Sequence, residues 1–207
     1  MEQKEITIIV PGAYSLSHYH SWTKNLFNSI AHLLRIQPAR KDHVRNWKKK
    51  MNLQNLVWMR WTRQIDGLSL WLARRKLARI LKHYKNEKVK LVGVSLGGKI
   101  ITDLMKEKFY KNISKVVLVC SINDLNKINY KHPAIINIYS ENDNLAKLAI
   151  DFYAPFHGGQ KLNGKNIKNI KLPNIDHDGF CSDRIVNAGK FKGKKITEIL
   201  SSFLSIE

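Results

Sequence analysis

Short β-branched runs alternate with stretches of helical period along the whole chain, and few architectures accept that alternation. Ile6-Thr7-Ile8-Ile9-Val10 reads as a strand that stops at the turn signal Pro11-Gly12. Ser21 is placed to cap a helix whose apolar positions Trp22, Leu26, Ile30 and Leu33 follow the 3.6-residue period. Residues 37–50 are strongly basic and read as an exposed connection. Leu56-Val57-Trp58-Met59 is a second expected strand. A long helix over 68–84 carries the stripe Leu70, Leu77, Leu81 and Tyr84, with Arg75, Arg79 and Lys82 on another face. Further strands are expected at 89–94, 116–119, 134–139 and 167–172, and helices at 99–110 and 196–204. Such a sequence predicts an α/β fold: a doubly wound, mainly parallel sheet of about six strands with helices on both faces. Right-handed crossovers would gather the functional loops at the carboxyl ends of the strands.

With 207 residues the chain suits a single domain over 1–207. Its first residues carry two glutamates and only a short apolar run, so they read as a strand and not as a secretory leader. No stretch approaches transmembrane length. Cys120 and Cys181 have no paired spacing, and they read as reduced thiols of a cytoplasmic protein. No metal or cofactor is expected. The formal net charge is +20, a field that attracts anionic partners. Because the basic residues are spread through the chain, a solubilising surface explains most of this charge. A rival reading is a non-catalytic basic module that binds nucleic acid or an anionic membrane. Its contacts would be Arg35, Arg40, Lys41, Arg45 and Lys48-Lys49-Lys50, with Trp47 and Trp58 stacking on bases or seated at lipid headgroups.

The most informative local motif is Gly93-Val94-Ser95-Leu96-Gly97, which follows the apolar run at 88–92 and precedes a helical pattern. Glycines two residues either side of a serine relieve the crowding of a sharp strand-to-helix turn, the geometry of a nucleophile elbow. The overlapping Gly93-x-x-x-x-Gly98-Lys99 matches most of a phosphate-binding loop. That loop needs Ser or Thr after the lysine to hold magnesium, and here the position is Ile100.

A serine hydroxyl needs an imidazole to take its proton. His177 lies in the polar turn Asn174-Ile175-Asp176-His177-Asp178, just past the last expected strand and at the same edge as the elbow. His132 falls at a strand entrance, His32 and His83 fall within helices, and His18 and His20 lie in the first loop. For the carboxylate that orients the imidazole, Asp143 follows the strand at 134–139. Asp143 is favoured over Asp124, Glu141 stands further behind, and the plainer reading of Asp143 is a turn residue bonding its own backbone.

The chain order Ser95, Asp143, His177 resembles that of the α/β-hydrolases, and the resemblance extends over nearly the whole sequence. Tyr139-Ser140-Glu141-Asn142-Asp143 is similar to the family's acid loop and Asp176-His177-Asp178-Gly179-Phe180 to its histidine loop. Pro11-Gly12-Ala13-Tyr14 falls where the family often has His-Gly, and the antiparallel strands that open larger members are missing. Among members, the chain is most similar to short, lidless serine hydrolases and esterases. The resemblance implies a Ser95–Asp143–His177 triad acting on an ester or related acyl bond of a small substrate. The backbone N–H of Leu96, with that of Ala13 or Tyr14, would bind the oxyanion. The short stretch between Cys120 and Pro133 leaves no room for a large cap, which implies an open site.

Overall fold

β-Branched and apolar side chains at successive positions of each run have to be covered from both sides, and the sheet they form is accordingly buried on two faces. The computed structural model describes residues 4–12, 47–51, 53, 55–63, 67–122, 133–144, 146 and 161–205. Six strands form one sheet: β1 (Glu5–Val10), β2 (Leu56–Trp58), β3 (Lys88–Val94), β4 (Ile113–Val119), β5 (Ala134–Tyr139) and β6 (Ile167–Lys171). Their spatial order is β2-β1-β3-β4-β5-β6, and every neighbouring pair is parallel. This is the sheet that the sequence predicts.

The period of two along each strand divides the core in two. Ile6, Ile8 and Val10 of β1, Leu91 of β3 and Val116 and Leu118 of β4 join one apolar cluster. It is covered by α2 (Gly67–His83), through Ala73, Leu77 and Leu81, and by α3 (Leu96–Glu107), through Ile100, Ile101, Leu104 and Met105. Ile9, Val92, Val94, Val117 and Val119 point the other way, into a second cluster. There α5 (Ile196–Ser205) contributes Ile196, Ile199, Leu200 and Phe203, and the short α1 (Trp47–Lys50) contributes Trp47. Burying one Leu or Ile side chain contributes about 1.5–3 kcal/mol, so these two layers hold the sheet rigid beneath its loops.

Two expectations are corrected. Residues 47–50 are helical and Trp47 is fully buried, so the connection expected over 37–50 ends in a helix, with Lys50 exposed, and the Trp47 ring cannot stack on a base or sit at a headgroup. Trp58 is half-buried against the same cluster. The helix expected from 99 begins at Leu96, directly after Ser95, because Gly97 and Gly98 let its first turn seat against the sheet. The helix expected at 22–33, with Ser21 as its cap, lies outside the described residues, as do Arg35, Arg40, Lys41 and Arg45. Among the described residues no helix is long and apolar enough to cross a membrane.

The chain runs from β1 to β2 on one side and returns to β3 on the other, so the crossovers diverge at the β1/β3 boundary. In an open parallel sheet the crevice at the carboxyl end of that boundary is where ligands bind. Gly12 follows β1 there, and Ser95 follows β3.

Candidate active site

The elbow follows from the strand–turn–helix sequence around Ser95. Its backbone has φ 53° and ψ −124°, a conformation that costs a non-glycine residue about 1–3 kcal/mol and needs firm support. The Ser95 N–H donates to the Val119 carbonyl at 2.9 Å, and the Ser95 carbonyl accepts from Gly98 N–H at 2.9 Å. Close packing does the rest. A Cβ at Gly97 would stand 1.9 Å from the Val10 carbonyl oxygen, and a Cβ at Gly12 would stand 2.7 Å from the Ser95 Cβ. Only glycine lets the start of α3 and the Pro11-Gly12 turn approach the serine so closely. Leu96, whose N–H the sequence assigns to the oxyanion, is the first residue of α3; Ala13 and Tyr14 lie outside the described residues.

Asp143 and His177 meet. His177 Nδ1 lies 2.9 Å from Asp143 Oδ2 and 3.1 Å from Oδ1. Asp143 is 0% exposed and His177 9%, so the pair is held largely out of water. Asp143 Oδ1 also accepts from Ala146 N–H at 2.7 Å, so the carboxylate is both a local turn acceptor and the imidazole's partner. Glu141 is exposed and pairs with Lys171 at 2.6 Å. Asp124 lies outside the described residues, with His18, His20, His32 and His132. His83 ends α2 with its ring edge-on to Tyr84, at 4.7 Å between centroids.

The segment around His177 is helical rather than a plain turn. α4 (His177–Cys181) is capped by Asp176, whose Oδ1 accepts from Gly179 N–H at 2.6 Å. Burial opposes protonation of His177. The hydrogen bond to Asp143 and the charges of Cys181, Asp143 and Asp178 outweigh it, and the imidazole pKa is raised above its ordinary value.

Sequence reasoning missed two features. The first is the support of the Pro11-Gly12 turn: Trp61 Nε1–H donates to the Pro11 carbonyl at 2.9 Å and Arg63 Nε–H to the Gly12 carbonyl at 2.6 Å. Arg63 is buried with φ 61°, and no sequence signal marks it. The second is a thiol pair. Cys120, directly after β4, and Cys181, at the end of α4, place their sulfurs with an imidazole nitrogen of His177 so that all three atoms lie within 4.8 Å of one another. Burial pushes the Cys120 thiol well up, and Cys181 adds to this, while the Ser95 backbone N–H acts in the opposite sense. The hydrogen bond from Cys120 holds Cys181 below the usual thiol range, helped by His177 and Arg63 against burial. Their distance in sequence hid this cluster. The phosphate-loop reading gains nothing, because Lys99 pairs with Asp103 on its own helix at 3.0 Å.

No protein-family model matches the sequence, and no curated protein matches it. Solved structures do match in fold. Est1E from Butyrivibrio proteoclasticus superposes with a TM-score of 0.54 at 12% identity, covering 99% of this chain and 88% of its own. An alpha-beta serine hydrolase homologue from Coxiella burnetii gives 0.53 at 10% identity, with 98% and 84% covered. A dienelactone hydrolase from Anabaena variabilis gives 0.51 at 12%, with 98% and 84% covered. With its parallel strand order, its elbow after β3 and these likenesses along almost its full length, the chain has the α/β-hydrolase fold.

Proposed function

We propose that the chain is a serine hydrolase, a single domain over residues 1–207, that cleaves an ester or related acyl bond of a small substrate in the manner of a carboxylesterase. One observation carries this reading: the hydrogen-bonded Asp143–His177 pair lies on the same sheet edge as a serine held in a strained strand-to-helix turn. The names of the similar structures, a serine hydrolase homologue and a dienelactone hydrolase among them, support hydrolysis as the class of reaction.

In this reading Ser95 Oγ attacks the acyl carbon while His177 Nε2 accepts its proton. Asp143 accepts a hydrogen bond from Nδ1–H, which fixes the tautomer and stabilises the imidazolium. The Leu96 N–H, with that of Ala13 or Tyr14, binds the oxyanion, and the amino end of the 12-residue α3 adds a favourable dipole. One such donor is typically worth about 2.7–4 kcal/mol. The alcohol leaves with the proton from His177. Water, deprotonated by the same imidazole, then releases the acid and regenerates Ser95. The short stretch between Cys120 and Pro133 supports an open site, and the two free cysteines suit a reducing compartment such as the cytoplasm.

A fluorophosphonate probe is expected to label the wild type and not Ser95→Ala, and short-chain nitrophenyl esters to be turned over by the wild type alone. Equal labelling of both proteins would remove Ser95 from the mechanism.

A further inference from the structure

We propose that Cys120, His177 and Cys181 form a binding site for a soft divalent transition-metal ion, with zinc the best fit, and that an ion held there switches hydrolysis off by occupying the imidazole.

Three elements build the donor set. His177 and Cys181 stand four residues apart on α4, so both project from one helix face. Cys120 reaches them from the end of β4, where its backbone takes φ 42°. The three donor atoms lie within 4.8 Å of one another. Around a tetrahedral zinc, with Zn–S about 2.3 Å and Zn–N about 2.0–2.1 Å, ligand atoms stand about 3.5–3.8 Å apart, so the cluster needs only a small inward movement. Two sulfurs and an imidazole suit zinc, and do not suit magnesium or calcium, which require oxygen ligands.

The surroundings of the imidazole serve the same end. Asp143 engages Nδ1; an ion bound with that hydrogen bond intact would take Nε2, the carboxylate–histidine–metal arrangement in which a second layer orients a ligand. Among the described residues, the charges of Asp143 and Asp178 act on the cluster in favour of a cation, and that of Arg63 opposes one and favours the Cys181 thiolate. Two thiolates neutralise a divalent ion. Both thiol protons leave to solvent on binding, no electron is transferred, and a fourth position stays open to water.

Binding of the ion does not depend on the hydrolase reading, whereas the inhibition does. An imidazole whose Nε2 holds a metal cannot accept a proton from Ser95. General-base catalysis contributes about 10²–10⁴-fold, so one equivalent of zinc should depress turnover by about 10²-fold or more, and a chelator should restore it.

The test titrates the full, reduced chain with cobalt(II), then zinc, by absorption spectroscopy. The expected result is a thiolate-to-cobalt charge-transfer band with tetrahedral d–d bands, saturating at one equivalent and erased by zinc. Ser95→Ala should keep these bands although it is inactive, so a failure of the hydrolase reading leaves the metal result standing. Cys181→Ser and Cys181→Ala should lose the bands while keeping the wild-type circular dichroism, and Asp143→Asn should bind about 10–100-fold more weakly. Zinc should slow wild-type ester turnover reversibly and leave each Cys181 variant's own rate unchanged. Absence of the charge-transfer band in reduced protein would overturn the proposal. So would its persistence in a Cys120→Ser/Cys181→Ser double variant, or the appearance of both thiols only after reductant, which would make the pair a disulfide.

Discussion

Asp143, fully buried, holds the imidazole of His177 through an Nδ1–Oδ2 contact of 2.9 Å, while its second oxygen takes the Ala146 N–H at 2.7 Å. One carboxylate therefore ties down its own loop and orients the imidazole of a different loop. Asp143→Asn keeps an acceptor for Ala146 and presents an amide to the imidazole. Ester turnover should fall by roughly 10³–10⁴-fold with KM nearly unchanged and the thermal midpoint within a few degrees of wild type. Unchanged kcat would take Asp143 out of the triad.

The same contact sets a pH dependence. In the proposed mechanism His177 must be neutral to act as a base, and its pKa is raised above the ordinary histidine value of about 6.5. In chelator-treated enzyme, kcat/KM should therefore fall as pH drops through a midpoint above that value. In Asp143→Asn the burial that opposes protonation is left to dominate, and the acid limb of the residual activity should move to lower pH. A limb that moves upward, or not at all, would contradict this assignment of cause.

The φ of 53° at Ser95 is a local cost carried by the native state. Glycine accepts that conformation without penalty, so Ser95→Gly should abolish turnover and raise stability by about 1 kcal/mol. For a chain of this size, that corresponds to a rise of roughly 2–4 °C in thermal midpoint. A less stable glycine variant would show the turn to be unstrained.

Two glycines should respond in opposite ways to the same change. At Gly97 an added methyl meets the Val10 carbonyl oxygen at 1.9 Å, whereas at Gly67, at the start of α2, nothing lies within 4 Å. Gly97→Ala should destabilise by more than about 3 kcal/mol or prevent folding. Gly67→Ala should stabilise by up to about 1 kcal/mol. Denaturant midpoints of the two variants decide the matter.

Arg63 holds the Gly12 carbonyl, and in the proposed mechanism it is a positioning residue. Arg63→Met removes that hydrogen bond while keeping much of the buried volume. Displacing a catalytic group by about 1 Å can cost about 10²-fold, and the loss should appear in kcat more than in KM. A change confined to KM would assign Arg63 to substrate binding instead.

Much of this protein could be read from its residues in order. β5 runs over the residues expected of it, and β1, β3, β6, α2 and α5 differ from expectation only at their ends. Period, turn chemistry and β-branching act within a few residues and are therefore visible locally. The turn at Ser95 could be anticipated for the same reason, since Gly93, Gly97 and the flanking strand and helix belong to one continuous segment. The start of β4 was harder, because Ser114 and Lys115 interrupt its apolar run, and pairing of Ile113 with β3 and of Lys115 with β3 and β5 carries the strand through them. Contacts between loops could not be read in this way. Asp143 could be picked for His177 only from its place after an expected strand and from the family's chain order; that Arg63 clamps Gly12, and that Cys120 and Cys181 share a corner with the imidazole, depend on where the ends of separate strands come to rest. Strand order, and the helices packed on the two faces, set those positions. They are properties of the assembled sheet, and no short window of sequence contains them.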